Sequence, residues 1–241
     1  MTIKRPFNPM ETLDELPVRE GYAAWAACYD DDGNPLLALE GPAMRRWFGQ
    51  LEGRRALDLG CGTGRHTLAL VEAGAVVAAL DFAPEMIDQG RRKPPRTGMR
   101  RDVLWVRHAL PGSLPFRNET FAVTVLGLVA EHLDDAALIL TLAEVARVLA
   151  PGGRCLLSAL HPDRTALGQR ARFIDPDTGL RRPIRTYHRT IASYQNAAAA
   201  AGMTPAEEQV LTVPPELAET LPRARPYIGQ ALGWVGCWSK G

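Results

Sequence analysis

A doubly wound α/β sheet is the fold this sequence predicts, and three observations predict it. Residues 56–59 form a short apolar run broken only by Asp58, and the run leads into glycines at alternate positions, Gly60, Gly62 and Gly64. Residues without Cβ permit positive φ and close approach of bare backbone to a ligand, so a strand ending this way reads as a cofactor-binding turn. A second apolar run, 76–80, ends in Asp81, where an acid can accept hydrogen bonds from ribose hydroxyls. Beyond it, short apolar runs alternate with helix-period segments as far as residue 160.

Taken in order, residues 21–30 are alanine-rich and carry Tyr22, Trp25 and Tyr29 at spacings that share one helical face. Packing on the core and closing as a lid over the ligand are equal readings of that face. Asn34 and Pro35 mark a helix start, since Asn accepts from orphan amides and proline suits the first turn, and the helix runs through 36–48. Residues 65–72 are helical and stop at Gly74, and Pro84 and Glu85 open a helix to about Arg92, which Lys93, Pro94 and Pro95 break. Residues 103–106 make a third strand. Leu114-Pro115-Phe116 with Asn118-Glu119 turns into 121–126, a fourth strand so apolar that helices must cover both its faces. The helix at 136–150 carries Leu138, Leu142, Val145 and Leu149 in one stripe, and Pro151-Gly152-Gly153 turns it into strand five, 154–160. A loop-rich insertion spans 161–189, a helix at 192–201 closes on Gly202, and two late strands are expected around 208–213 and 234–239.

The 241 residues fit one domain: a helical cap over 1–50, a cofactor-binding core over 51–160, an acceptor-side insertion over 161–190, and a C-terminal helix with strands over 191–241. Lys plus Arg number 28 against 27 Asp plus Glu, so the net charge of +1 offers no field for a nucleic-acid backbone. Cys28, Cys61, Cys155 and Cys237 are scattered without metal-ligand spacing, which suits a reduced, cytoplasmic setting and predicts no metal. The longest apolar run, 122–130, is too short to span a bilayer, so membrane insertion is not expected.

Dinucleotide folds want a third glycine where this chain has Arg65, and the acid at Asp58 inside the strand end needs a partner. An amino-acid ammonium would supply one, and S-adenosylmethionine carries that group together with an adenosine. Four stretches, 56–66, 79–86, 114–116 and 145–154, resemble in order and spacing the motifs of class I S-adenosylmethionine-dependent methyltransferases, most closely the small-molecule, ubiquinone-type branch. The resemblance covers roughly residues 51–160. It implies a Rossmann-like, seven-stranded, mostly parallel sheet with the last strand antiparallel, an N-terminal helical lid, and the insertion after strand five.

The resemblance also implies site residues. Asp58, Gly60, Cys61 and Gly62 would hold the methionine moiety, and Asp81 both ribose hydroxyls. Phe82 and Met86 would flank the adenine, Ala109 and Leu110 would meet its edge, Gly127 would lie beside the methionine part, and Tyr29 would close the lid. Two departures stand out: the acid many relatives carry after strand three is missing from His108-Ala109-Leu110, and Ala122 replaces the aspartate that commonly opens strand four.

Methyl transfer is an in-line displacement that rests on positioning and exclusion of water, with S-adenosyl-L-homocysteine as the other product. A base would be needed only for acceptors that lose a proton, and histidine has a suitable pKa. His161, at the mouth of the insertion, is the first candidate and His188 the second, while helix capping, the adenine wall and a loop end account for His66, His108 and His132. The insertion carries seven arginines against three aspartates. Solvation accounts for most of them; an acidic small-molecule acceptor, held by one or two of these arginines and tested by replacing Arg182 and Arg185, is the sharper expectation. Two other functions share the glycine turn and distal acid: an NAD(P)-dependent oxidoreductase, and a non-catalytic binding module that keeps the fold.

Overall fold

The computed structural model describes residues 14–93 and 103–241. Pro94 and Pro95, expected to break a helix, lie outside the described residues. After helices α1 (Val18–Trp25) and α2 (Pro35–Arg45), strands β1 (Arg55–Leu59), β2 (Val76–Asp81), β3 (Val103–Arg107), β4 (Phe121–Gly127) and β5 (Leu149–Leu160) alternate with α3 (Arg65–Glu72), α4 (Pro84–Arg92) and α5 (Asp135–Val148). The expected insertion holds a short helix, α6 (Pro162–Ala166), and a two-stranded hairpin, β6 (Arg172–Ile174) with β7 (Arg181–Pro183). Helix α7 (Ile191–Ala200), strand β8 (Met203–Thr212), helix α8 (Pro215–Thr220) and strand β9 (Ala231–Lys240) follow.

The main sheet has seven strands in the order β3-β2-β1-β4-β5-β9-β8. β1, β2, β3, β4 and β5 pair in parallel, while β9 runs antiparallel to both of its neighbours, β5 and β8. The chain reverses its walk across the sheet between β1 and β4, and a crevice opens at that switch point beyond the carboxyl ends of the strands. Strand periodicity divides the core. Leu57, Leu80, Leu126 and Leu157 face α5 and α7, while Ala56, Val77, Val125 and Leu156 face α2 and α3.

Local chemistry sets the element ends. The Asn34 side chain accepts from the Leu36 amide at 3.0 Å, Asp134 accepts from Ala137 at 2.8 Å, and Thr190 caps α7. α1 is shorter than the 21–30 reading and starts earlier, so Tyr29 sits in the turn that follows it. Trp25 still meets both Tyr22 and Tyr29, at ring-centroid distances of 5.8 and 4.8 Å. The late strands are longer than expected, because pairing with β9 carries β8 through Thr204 and Pro205 despite their poor strand character. α5 ends at Val148, not residue 150, since Leu149 already pairs with Phe121.

Candidate active site

The turn after β1 is shaped by backbone. Gly60, Gly62 and Gly64 all take positive φ. A Cβ on Gly60 would stand 2.3 Å from Val129 Cγ2, whereas one on Gly62 would meet nothing within 4 Å, so the chain is pinned at the first glycine and open at the second. Asp81 joins this turn to the end of β2: one carboxylate oxygen accepts from the Gly62 amide and the other from the Ala83 amide, each at 2.8 Å. Burial raises the Asp81 carboxyl to about 6 against those two hydrogen bonds.

Around the turn lies a cavity of about 540 Å³ at the carboxyl ends of β1, β2, β3 and β4. Ten of the expected cofactor residues line it: Tyr29, Gly60, Cys61, Gly62, Asp81, Phe82, Met86, Ala109, Leu110 and Gly127. Asp58 does not. It is buried beneath the turn, where its carboxylate accepts from Thr67 Oγ1 at 2.6 Å and so braces the start of α3. His108 also lines the cavity, and its Nε2 is buried with no hydrogen-bond partner among the described residues. An open glycine cradle, a fixed carboxylate and an unpartnered ring nitrogen on the far wall fit an adenosine bearing an amino-acid tail.

A buried ionic cluster braces one wall of the cavity, which Arg65 and His66 line. Glu40, on α2, accepts from His66 Nε2 at 2.9 Å and from Ser158 Oγ at 2.7 Å, and pairs with Arg65 through its other oxygen. Burial alone would raise the Glu40 carboxyl, but His66 and Arg65 outweigh it and hold the group well below the usual range. His66 therefore serves as a partner of Glu40 within α3 and not as a helix cap. Arg65, at the third-glycine position, spends its charge on the same acid.

Neither expected catalytic histidine reaches this cavity. Pro162 starts α6, which makes His161 its N-cap, with Nδ1 accepting from the Asp163 amide at 3.3 Å. His188 Nδ1 instead lies 2.7 Å from Thr165 Oγ1. Of the insertion's arginines, the pair chosen for substitution is already partnered: Arg182 by Asp175 at 2.8 Å and Arg185 by Glu15 at 3.3 Å.

In the turn after β4, His132 lines this cavity and Glu131 lines an adjoining one. Glu131 is 4% exposed, burial raises its carboxyl to about 8, and its Oε2 has no partner among the described residues. Burial pushes the next residue, His132, down to about 4, so its ring is neutral. Its Nδ1 donates to the Arg185 carbonyl at 2.6 Å, which leaves Nε2 to accept the Tyr22 hydroxyl at 2.8 Å. Arg189 fixes the turn by donating to the Ala130 carbonyl at 3.1 Å and to that of Leu133. The available signal was an acid and a histidine at the end of an otherwise apolar strand.

This fold, with a nucleoside-sized crevice at its switch point and an acid closing the second strand, defines a nucleotide-cofactor α/β protein. A profile described as a methyltransferase domain matches residues 56–153. An uncharacterized methyltransferase of Emericella nidulans is 32% identical over 79% of this chain and 77% of its own length. A demethylmenaquinone methyltransferase of Lactiplantibacillus plantarum is 37% identical, but the match covers 45% of this chain and 46% of that protein. The crystal structure of a Mesorhizobium loti S-adenosylmethionine-dependent methyltransferase shares the fold, with a TM-score of 0.68 and 23% identity over 86% of this chain and all of that one. The chain belongs to the methyltransferases. Among the described residues, no helix is long and apolar enough to cross a membrane and no His/Cys/Asp/Glu cluster could hold a metal.

Proposed function

We propose that this methyltransferase uses the cavity at the glycine turn for S-adenosylmethionine and passes its methyl group to a small-molecule acceptor. The bound donor would supply a sulfonium methyl, transferred as the acceptor's electron pair bonds carbon and the carbon–sulfur pair stays on sulfur. The protein's part is placement. The Asp81 carboxylate, held by two amides, keeps acceptor capacity for the two ribose hydroxyls, and the Gly60–Gly62 backbone leaves room for the amino-acid tail. Phe82 and Met86 supply apolar walls for a base, and α1 with the Tyr29 turn covers the opening against water.

The observation that carries this reading is Asp81: a nine-tenths-buried carboxylate tied to the glycine turn and still facing the cavity. Calorimetry with S-adenosylhomocysteine should show one site, and Asp81→Ala should weaken it about a hundredfold, the loss of charge-assisted hydrogen bonds worth about 1.5–3 kcal/mol each. Ribose hydroxyls donate to the ionised carboxylate. Affinity should therefore fall as pH drops through about 6, with binding releasing a proton below it, and Asp81→Asn should be flat across that window. Heat from NAD and none from S-adenosylhomocysteine would overturn the reading in favour of a dinucleotide enzyme.

A further inference from the structure

A second chamber, of about 480 Å³, adjoins the cofactor cavity, and Tyr22, Tyr29 and Leu128 line both. It is enclosed by α1, the start of α2, the β6–β7 hairpin and the segment around Tyr227, and it ends against the carboxyl end of β5. Three features make it selective.

At the inner end sits Glu131, whose Oε2 has no partner. Trp25 lines the same chamber, is 3% exposed, and leaves its Nε1 donor unsatisfied as well. Buried polar atoms are rarely left unpaired, since each costs about 1–3 kcal/mol, so a donor and an acceptor orphaned in one chamber call for a polar ligand. Between them the walls are flat and apolar: Trp25 stacks on Phe173 with centroids 5.6 Å apart and planes 15° from parallel.

The hairpin and its surroundings make the outer wall basic. Arg170, Arg172, Arg181 and Arg223 face the chamber, against the carboxyl groups of Asp32 and Glu131. Arg170 is paired with Glu15 and Arg223 with Asp32. Arg172 and Arg181 make no side-chain hydrogen bond or ion pair among the described residues, and Glu131 is largely uncharged near neutral pH, so the surplus is positive. A guanidinium left over a closed chamber is suited to a carboxylate, sulfonate or phosphate.

We propose that this chamber binds a small organic anion with a flat apolar body, its acidic group at Arg172 and Arg181 and a hydroxyl or amine at Glu131, beside the cofactor cavity. Its role as the methyl acceptor rests on the function proposed above; its selectivity for anions does not. The chamber's size suits a ligand of tens of atoms and excludes a folded partner. The acidic acceptor expected from the insertion's arginines thus gains a site, at two of them.

The experiment is a fluorescence titration of the full chain, saturated with S-adenosylhomocysteine to fill the first cavity, using 8-anilinonaphthalene-1-sulfonate and its uncharged analogue N-phenyl-1-naphthylamine. The sulfonate should bind at one site at least tenfold more tightly than the analogue. The double variant Arg172→Gln/Arg181→Gln should lose that preference and keep its thermal midpoint and its S-adenosylhomocysteine affinity within twofold. Equal binding of the two dyes, or a double variant that keeps the preference, would overturn the inference. Failure to bind S-adenosylhomocysteine would instead sink the cofactor reading and leave an anion site without a methyl donor.

Discussion

The two chambers meet at Tyr22, Tyr29 and Leu128 yet are built on different terms. The cofactor side is mostly backbone: positive-φ glycines, two amides on Asp81, and strand ends whose spacing the sheet dictates. The other side is mostly side chain, with arginines from a hairpin, aromatics from the lid and an acid from the turn after β4. Backbone can hold only one shape, so the first chamber suits an invariant cofactor. A wall of side chains can change its ligand by substitution without touching the sheet.

That contrast can be tested by breaking each side in turn. The largest loss should follow Glu40→Ala, which strands Arg65 and His66 at the wall of the first cavity: about 4 kcal/mol of stability in urea denaturation, in the range found when one partner of a buried ion pair is removed. A loss below 1 kcal/mol would show that the backbone side needs no such support. Next comes Gly60→Ala, which forces a side chain into a positive φ and against Val129. It should cost about 2 kcal/mol in the same assay and weaken S-adenosylhomocysteine binding, while leaving the anion chamber's dye preference intact. The smallest effect belongs to Tyr22→Phe, which frees the neutral His132 ring at the junction. One lost hydrogen bond should cost about 1 kcal/mol in urea denaturation and lower the thermal midpoint by about 2–4 °C; an unchanged midpoint would show that the junction contact contributes nothing.

The same contrast explains what could be read from residues alone. The glycine turn, Asp81, the apolar β4 and the capped helices are local patterns, and local patterns fix backbone; ten of the eleven residues that the resemblance assigned to the cofactor line one cavity at the end of that sheet. Asp58 was placed in the ligand because an acid at a strand end invites a cation, but Thr67, one helix turn away in α3, takes that carboxylate first. The acceptor side was harder. Arg182 and Arg185 look identical in sequence to Arg172 and Arg181, and only the folded hairpin and the lid show that Asp175 and Glu15 claim the first pair. His161 fell to its neighbour: Pro162 begins a helix, and the ring became its cap. Glu131 carried a faint signal, an acid just past the apolar run 122–130, whose meaning appeared only when burial left one oxygen without a partner.

The order of strands has a consequence for how the molecule is assembled. β8 touches the sheet only through β9, which slots between β8 and β5 and carries the buried Trp234 and Trp238. During synthesis β8 emerges with its hydrogen-bonding edge bare, and it must wait until residues 231–240 arrive to wedge it home. Until that insertion β8 has no strand partner, whereas β1 to β5, with the glycine turn at their carboxyl ends, already pair among themselves.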